Sequence, residues 1–324
     1  MMGRYVLGRL GQAVLVLWAA WTVSFVILYA LPGDAVEVRL GAAASDITPE
    51  QIAALQADYG LDQPWFTQYL TQLGHALTGD LGRSFENGQS VTSLLLENLP
   101  ATAALAGLAL ILAVVFGGGL AVLANGVRFR WLSRALLNLP ALGVAVPGFW
   151  VGLMLLQLFS FRIELFPAIG NDGFSSLVLP AITLAIPTSA VIAQILAKSL
   201  HSSLGEPWSD TARAKGAGSV RVLFRHALRN AALPTLTITG LLVGQLLSGA
   251  VVAETVFSRT GLGRLTATSV SAQDTPVVQG LVLFGALVFV LTNLAVDLLY
   301  PLLDRRTLQR STRRVARPAP VEVS

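Results

Sequence analysis

The residues of this chain that could do chemistry are few, and most stand in one polar run: Glu206-Pro207-Trp208-Ser209-Asp210-Thr211-Ala212-Arg213-Ala214-Lys215-Gly216-Ala217-Gly218. Pro207 suits the first position of a short helix, where its missing N–H has no intrahelical partner to lose. Glu206 and Asp210 then lie toward the positive end of that helix, and Arg213 and Lys215 toward the negative end. Gly216 and Gly218 break the run and permit a sharp turn. From Val220 to Leu233 the spacing puts Val220, Phe224, Ala227 and Leu228 on one face and Arg221, Arg225 and Arg229 on another. A short helix, a glycine turn and a basic helix are therefore expected. Physics alone leaves two readings level: a working element of the protein, or an ordinary amphipathic helix whose arginines meet anionic headgroups.

Catalysis has little to stand on. There is no Gly-x-x-x-x-Gly-Lys-[Ser/Thr], since neither lysine, Lys198 or Lys215, follows a glycine; the usual phosphate loop is ruled out. His-Glu-x-x-His and Gly-x-Ser-x-Gly are missing too. Cysteine is absent, which removes disulfides, thiolate zinc sites and thiol nucleophiles. His75, His201 and His226 are too scattered for a zinc cluster and read as residues of an external helix and of the cytoplasmic interface. Asp297 is the one acid well inside an apolar segment. A proton relay is the sharp reading of it; pairing with nearby Arg305 or a neighbouring subunit is the plain one.

What must position these residues is a membrane bundle. Of 324 residues 54% are hydrophobic and 12% charged, against roughly 25% charged in soluble domains, and the mean hydropathy is +0.66. Six stretches reach the roughly 20 apolar residues needed to cross hydrocarbon: Leu10–Leu31, Pro100–Leu123, Leu136–Phe161, Leu177–Ala197, Leu233–Ala253 and Val277–Leu303. The first is too long for a signal-peptide core and lacks a small-residue cleavage site, so it reads as a retained anchor. Gly240 and Gly244 make a Gly-x-x-x-Gly for close helix approach. Gly117-Gly118-Gly119, Pro147, Pro180 and Pro187 mark bends, more a matter of packing than of gating.

With six spans, 17 Lys and Arg fall on one side and five (Arg39, Arg83, Arg162, Arg259, Arg264) on the other. The positive-inside rule puts the 17, and both termini, in the cytoplasm. The net charge of +4 thus belongs to membrane boundaries and calls for lipid rather than nucleic acid. The external stretch Pro32–Leu99 carries nine acids against Arg39 and Arg83, either a solvated face or a vestibule favouring cations. Thr48-Pro49-Glu50-Gln51 opens a helix that Gly60 closes. A second amphipathic helix from Gln63-Pro64 carries Trp65, Tyr69, Leu73 and Leu77 on one face, with Gly79-Asp80-Leu81-Gly82 as its terminal turn. This predicts a small helical cap that docks a delivering protein or covers a pore mouth.

The polar run resembles the conserved cytoplasmic loop of binding-protein-dependent ABC importer permeases, a Glu-Ala-Ala, three residues, then Gly. Asp210-Thr211-Ala212 stands in the place of that triplet and Gly216 in that of the glycine. Thr-Ala-Arg-Ala-Lys-Gly, with Phe-Arg-His-Ala-Leu-Arg-Asn-Ala through Leu233-Pro234, is similar to the form in the dipeptide, oligopeptide and nickel subgroup. So are Tyr59-Gly60-Leu61-Asp62-Gln63-Pro64, Gly79-Asp80-Leu81-Gly82-Arg83-Ser84-Phe85, Asn98-Leu99-Pro100-Ala101-Thr102, Glu254-Thr255-Val256-Phe257, Gly261-Leu262-Gly263-Arg264 and Pro276-Val277-Val278-Gln279-Gly280. Arg259-Thr260 departs from the aromatic–proline pair expected before Gly261.

The resemblance implies an all-α integral membrane protein with six transmembrane helices in the type I ABC importer permease fold, and a small helical external domain between spans one and two. Residues 1–31 would form the N-terminal end and first span, 32–99 the external domain, 100–303 the core with its coupling loop 200–232, and 304–324 a basic cytoplasmic tail. It implies a bacterial plasma (inner) membrane permease for peptides, with nickel chelates, glutathione or other small solutes as alternatives. The implied partners are a homologous second permease, two ABC ATPase subunits that hold ATP and Mg, an external solute-binding protein and membrane lipid. No cofactor binds this chain. Asp210, Thr211, Ala212, Arg213, Ala214, Lys215, Gly216, Ala217 and Gly218 would form the ATPase-coupling loop, with Arg213 and Lys215 in polar contact and Gly216 setting the angle to the next helix. Spans three and five would line the path. The rival class is an autonomous ion-coupled carrier; a membrane enzyme has no catalytic constellation behind it.

Overall fold

The computed structural model describes residues 2–30 and 63–303, with side chains at 7–28 and 63–296. Long apolar blocks can satisfy their backbone in lipid only as helices. Among the described residues the regular structure is all helical, with one bridge between Arg83 and Ser90 in the connecting loops. In chain order the helices are α1 (Met2–Ala30), α2 (Trp65–Leu77), α3 (Val91–Gly126), α4 (Arg130–Ala145), α5 (Gly148–Arg162), α6 (Ser175–Leu204), α7 (Pro207–Ala214), α8 (Ser219–Val256), α9 (Leu262–Ser271) and α10 (Thr275–Leu303). α5 ends in a π-helical stretch from Leu156, and α8 carries another over Val222–Ala227.

Five of these, α1, α3, α6, α8 and α10, are each long and apolar enough to cross a membrane. The expected third span, Leu136–Phe161, is not one straight helix. α4 and α5 reach that length only together, and they meet at 95°. The break follows from Val146-Pro147. A residue before proline is pushed out of the α region, and Val146 (φ −86°, ψ 128°) and Pro147 (φ −60°, ψ 130°) are both extended.

The other spans are longer than hydropathy draws them. α3 begins nine residues before Pro100, and α8 joins the basic helix and the fifth span into one element. At 1.5 Å per residue the 36 residues of α3 span about 54 Å, well beyond a roughly 30 Å hydrocarbon layer. Polar helix ends outside that layer leave no hydropathy signal.

α6 is the most enclosed span. α3 packs along it through a stripe of small buried residues, Ala109, Ala113, Gly117 and Ala121, four apart. Such a stripe lets two backbones approach closely; a Cβ on Gly117 would collide with the Ser189 carbonyl of α6. Of the glycine triplet, Gly117 thus serves close packing. Gly240 and Gly244 do the same for α8 against α10. Added Cβ atoms there would lie 2.6 Å from Val296 and 3.3 Å from Phe289.

α2 is the expected second external helix. Its Tyr69 hydroxyl shares a 2.8 Å hydrogen bond with Thr22 of α1, and its ring stacks edge-on against Phe25. Gly79 and Gly82, at φ 85° and 82°, form the turn after it. The helix expected over Thr48–Gly60 and the tail 304–324 lie outside the described residues, as does the side chain of Asp297 on α10.

Candidate functional site

α7 has the architecture its residues predict. Glu206 is the extended N-cap and Pro207 the first helical residue. At the other end the Ala217 N–H donates to the Ala212 carbonyl (3.0 Å) and the Gly216 N–H to the Arg213 carbonyl (2.9 Å). These two bonds form a Schellman motif, which requires a left-handed residue; Gly216 supplies it at φ 85°. Gly218 has φ −66° and caps α8, so the turn needs only one glycine.

One face of α7 is anchored and the other is open. Trp208 packs on a core cluster of Ala121 from α3, Leu196, Ala197 and Leu200 from α6, and Leu223, Ala227 and Ala231 from α8. Its ring lies 5.9 Å from that of His226. Ser209 is completely buried. Asp210, Thr211, Arg213, Ala214 and Lys215 are exposed. Asp210 and Arg213 approach to 3.7 Å in an exposed i,i+3 pair, which contributes about 0–1 kcal/mol. The result is a short helix seated on the bundle through Trp208 and Ser209 and presenting mixed charge outward.

The face expected on the following basic helix is corrected. Val222, Leu223 and Ala227 are buried, whereas Val220 and Phe224 are 71% and 54% exposed. The π-helical stretch from Val222 changes the angular step per residue, so a 3.6-residue wheel drawn through it misplaces the side chains. Among the other expected residues, His201 and Lys198 border a cavity of about 310 Å³ between α3, α4 and α6. His75 is exposed and lies 3.3 Å from Asp80.

At the opposite end of the bundle lies a polar assembly that hydropathy did not single out. Glu254, just beyond the expected fifth span, is inside α8 and buried. Its Oε1 accepts the Thr102 hydroxyl of α3 at 2.6 Å and its Oε2 the Arg264 N–H of α9 at 2.9 Å. Thr102 Oγ1 in turn accepts the Leu262 N–H at 2.8 Å. Gly261 admits this carboxylate, because a Cβ there would overlap it. Glu254 is thus a buried acid in the last turn of a spanning helix.

Two further knots surround it. Arg259, counted in sequence among external charges, is buried and donates to the Gly170 and Ser176 carbonyls (2.9 and 2.8 Å) and to Ser176 Oγ (2.8 Å). Burial pulls its pKa below the ordinary arginine value, opposed by the Glu254 charge. Asp274, also buried, accepts the Ser84 hydroxyl and the Phe85 N–H (3.0 Å). The signal available in sequence was the clustering of polar residues at span ends: Thr102, Glu254, Arg259 and Asp274 all stand where apolar runs stop.

The bundle with a small charged helix seated at one end defines a membrane transport subunit. The chain belongs to the binding-protein-dependent transport system inner membrane components, whose family matches residues 109–309, and whose N-terminal companion family matches 2–106. It is a multi-pass inner-membrane permease subunit. It is 36% identical over 314 residues to a candidate peptide transport system permease of Brucella melitensis, covering 94% of this chain and 99% of that one. Against the glutathione transport system permease of Salmonella choleraesuis it is 36% identical over 296 residues, covering 91% and 96%. A structure of the methionine ABC transporter in an inward-facing conformation superposes with TM-score 0.56 at 18% identity, over 65% of this chain and 97% of that one. That likeness shows the type I importer permease fold.

Proposed function

We propose that this chain forms, with a second homologous permease, the path by which peptides enter a bacterial cytoplasm, driven by two ABC ATPase subunits that dock on α7. The observation that carries this reading is the split face of α7: Trp208 and Ser209 locked into the bundle, Asp210, Thr211, Arg213 and Lys215 turned outward. A helix tied to the bundle on one side transmits the rigid-body motion of a partner held on the other. ATP and Mg belong to those partners, and an external solute-binding protein delivers the cargo. The excess of 17 cationic residues over five supports a cytoplasmic α7 and cytoplasmic termini.

Peptide is the cargo favoured by the relatives, one named for peptide and one for glutathione, itself a tripeptide. On α8 the exposed Gln245, Ser248 and Thr255 share one helical face. They would give a hydrogen-bonding, uncharged wall suited to solutes with amide groups.

The test is reconstitution with the genomically adjacent partners. Gly216→Asp should leave the permease pair and the ATPase pair co-purifying, while ATP hydrolysis no longer drives peptide uptake. Uptake that persists when the ATPase subunits are omitted would overturn the reading in favour of an autonomous carrier. So would labelling of a cysteine at Lys215 by an impermeant reagent from outside the cell.

A further inference from the structure

α2 has three faces, and only two are accounted for by protein and water. At about 100° per residue, counted from Trp65, Ala76 and Tyr69 fall near 20–40°, Phe66, Leu77 and Leu70 near 100–140°, and Thr67, Thr71 and His75 near 200–280°. The first face meets α1 through the Tyr69–Thr22 hydrogen bond and the Phe25 ring. The polar face is exposed, as a water-facing surface should be. The middle face is also exposed: Phe66 57%, Leu70 51% and Leu77 81%, with Trp65 at 67% beside it.

We propose that this middle face is seated in the bilayer, so that α2 is a helix of the membrane boundary layer and not a cap standing in water. Three observations commit it to lipid. Its depth comes first. Thr22 and Phe25, on which α2 docks, lie within the apolar stretch Leu10–Leu31 of α1 and not beyond it, so α2 sits at a level where α1 itself is built for lipid.

Continuity comes second. Trp18, Val23, Val26 and Ile27 of α1 are each at least half exposed around the docking point, so lipid that wets α1 meets the α2 stripe without a step. Composition is the third. α2 contains no Asp, Glu, Lys or Arg, and Trp65 at its start is a residue that favours the interface. A surface built to hold a soluble protein in water would leave this uncharged apolar stripe wet whenever that protein was absent.

The experiment uses the absence of cysteine. Single cysteines are placed at Phe66, Leu70 and Leu77, and at Thr67, Thr71 and His75, in the full chain within its purified complex in liposomes. Each is spin-labelled, and collisions with oxygen, which concentrates in lipid, are compared with collisions with a water-soluble nickel chelate. The oxygen-to-nickel ratio should exceed one at 66, 70 and 77 and fall below one at 67, 71 and 75. Nickel dominating at all six overturns the proposal. Labels at 66, 70 and 77 shielded from both reagents, or shielded only on adding the solute-binding protein, would assign the stripe to protein and also overturn it. Should Phe66→Cys disturb folding, Leu77→Cys, the most exposed position of the stripe, gives the same reading. The measurement involves neither ATP nor cargo and does not depend on which leaflet faces out, so it stands or falls apart from the importer assignment.

Discussion

Thr102→Val isolates the polar knot that closes the bundle beside α9. Valine is nearly isosteric with threonine, so packing at this buried site is preserved. What is lost is the hydroxyl that donates to Glu254 and accepts from the Leu262 N–H. Both partners lie in a buried environment, and each unsatisfied group costs about 1–3 kcal/mol, more where it is charged. The variant should therefore lose about 2–6 kcal/mol. Thr102→Ser keeps both bonds and removes one methyl, at a cost of about 1 kcal/mol. The assay is equilibrium unfolding in mixed micelles, with Glu254→Gln completing a double-mutant cycle. Glutamine keeps an oxygen for Thr102 but can turn an amide N–H toward the Arg264 N–H, so the single change is costly and the double should be less than additive. A Thr102→Val loss below about 0.5 kcal/mol would refute the knot, since surface substitutions away from such features fall within that range. So would Thr102→Ser as damaging as Thr102→Val.

Further outcomes follow from the same packing. Gly117→Ala should destabilise by at least about 2 kcal/mol because α3 and α6 must separate, whereas Gly118→Ala, whose nearest neighbour is a leucine methyl at 3.9 Å, should gain about 0.5–1 kcal/mol; unfolding curves compare the two. Gly216→Ala should cost about 1–2 kcal/mol for its left-handed backbone, and Gly218→Ala well under 1 kcal/mol; hydrogen exchange of the Ala217 amide reads the difference. The Gly82 N–H, with help from His75, holds the Asp80 pKa below its ordinary 3.8. A depressed folded pKa stabilises the turn above that ordinary value and loses the effect as pH falls through the folded one. Gly82 amide protection should therefore persist at neutral pH and decline only below about pH 4, with a small amplitude because Asp80 is exposed.

Span positions, the short charged helix and its glycine stop were legible because each rests on a local rule: apolar length, a proline at the first turn, a left-handed residue at the end. Where a tertiary partner decides, the reading failed in definite ways. The arginine face of the basic helix is exposed, but Val220 and Phe224 do not share the environment of Ala227, because a π-helical stretch is invisible to a 3.6-residue wheel. The bend expected at Pro147 in the third span is present, but not its sharpness of 95°, because Pro100, Pro180 and Pro187 sit inside helices without ending them and proline alone does not say which case applies. Arg259 was counted on the external side by its charge, but its burial among carbonyls of the loop before α6 and of that helix's first turn was not foreseen. Ala109, Ala113, Gly117 and Ala121 were readable as a small-residue stripe, but their partner helix was not.

α8 connects the two polar regions, and its construction constrains how any force applied at α7 can act. Its first residues pack with Trp208 against the same cluster that holds α6, and its last turn holds Glu254. The 38 residues between amount to about 57 Å of helix. Along the way Gly240 and Gly244 bring it onto α10, leaving little room for bending against that neighbour. Its hydrogen bonding leaves the α-helical pattern at the π-helical stretch Val222–Ala227, next to α7, and not at the glycine pair in mid-membrane. A displacement of α7 must then either be absorbed at that stretch or turn α8 as a body about the Glu254–Thr102 knot. On the importer reading only the second does work on the path. Thr102→Val should therefore weaken coupling between hydrolysis and uptake even in those complexes that remain assembled. Unchanged coupling in such complexes would mean that the knot is structural alone.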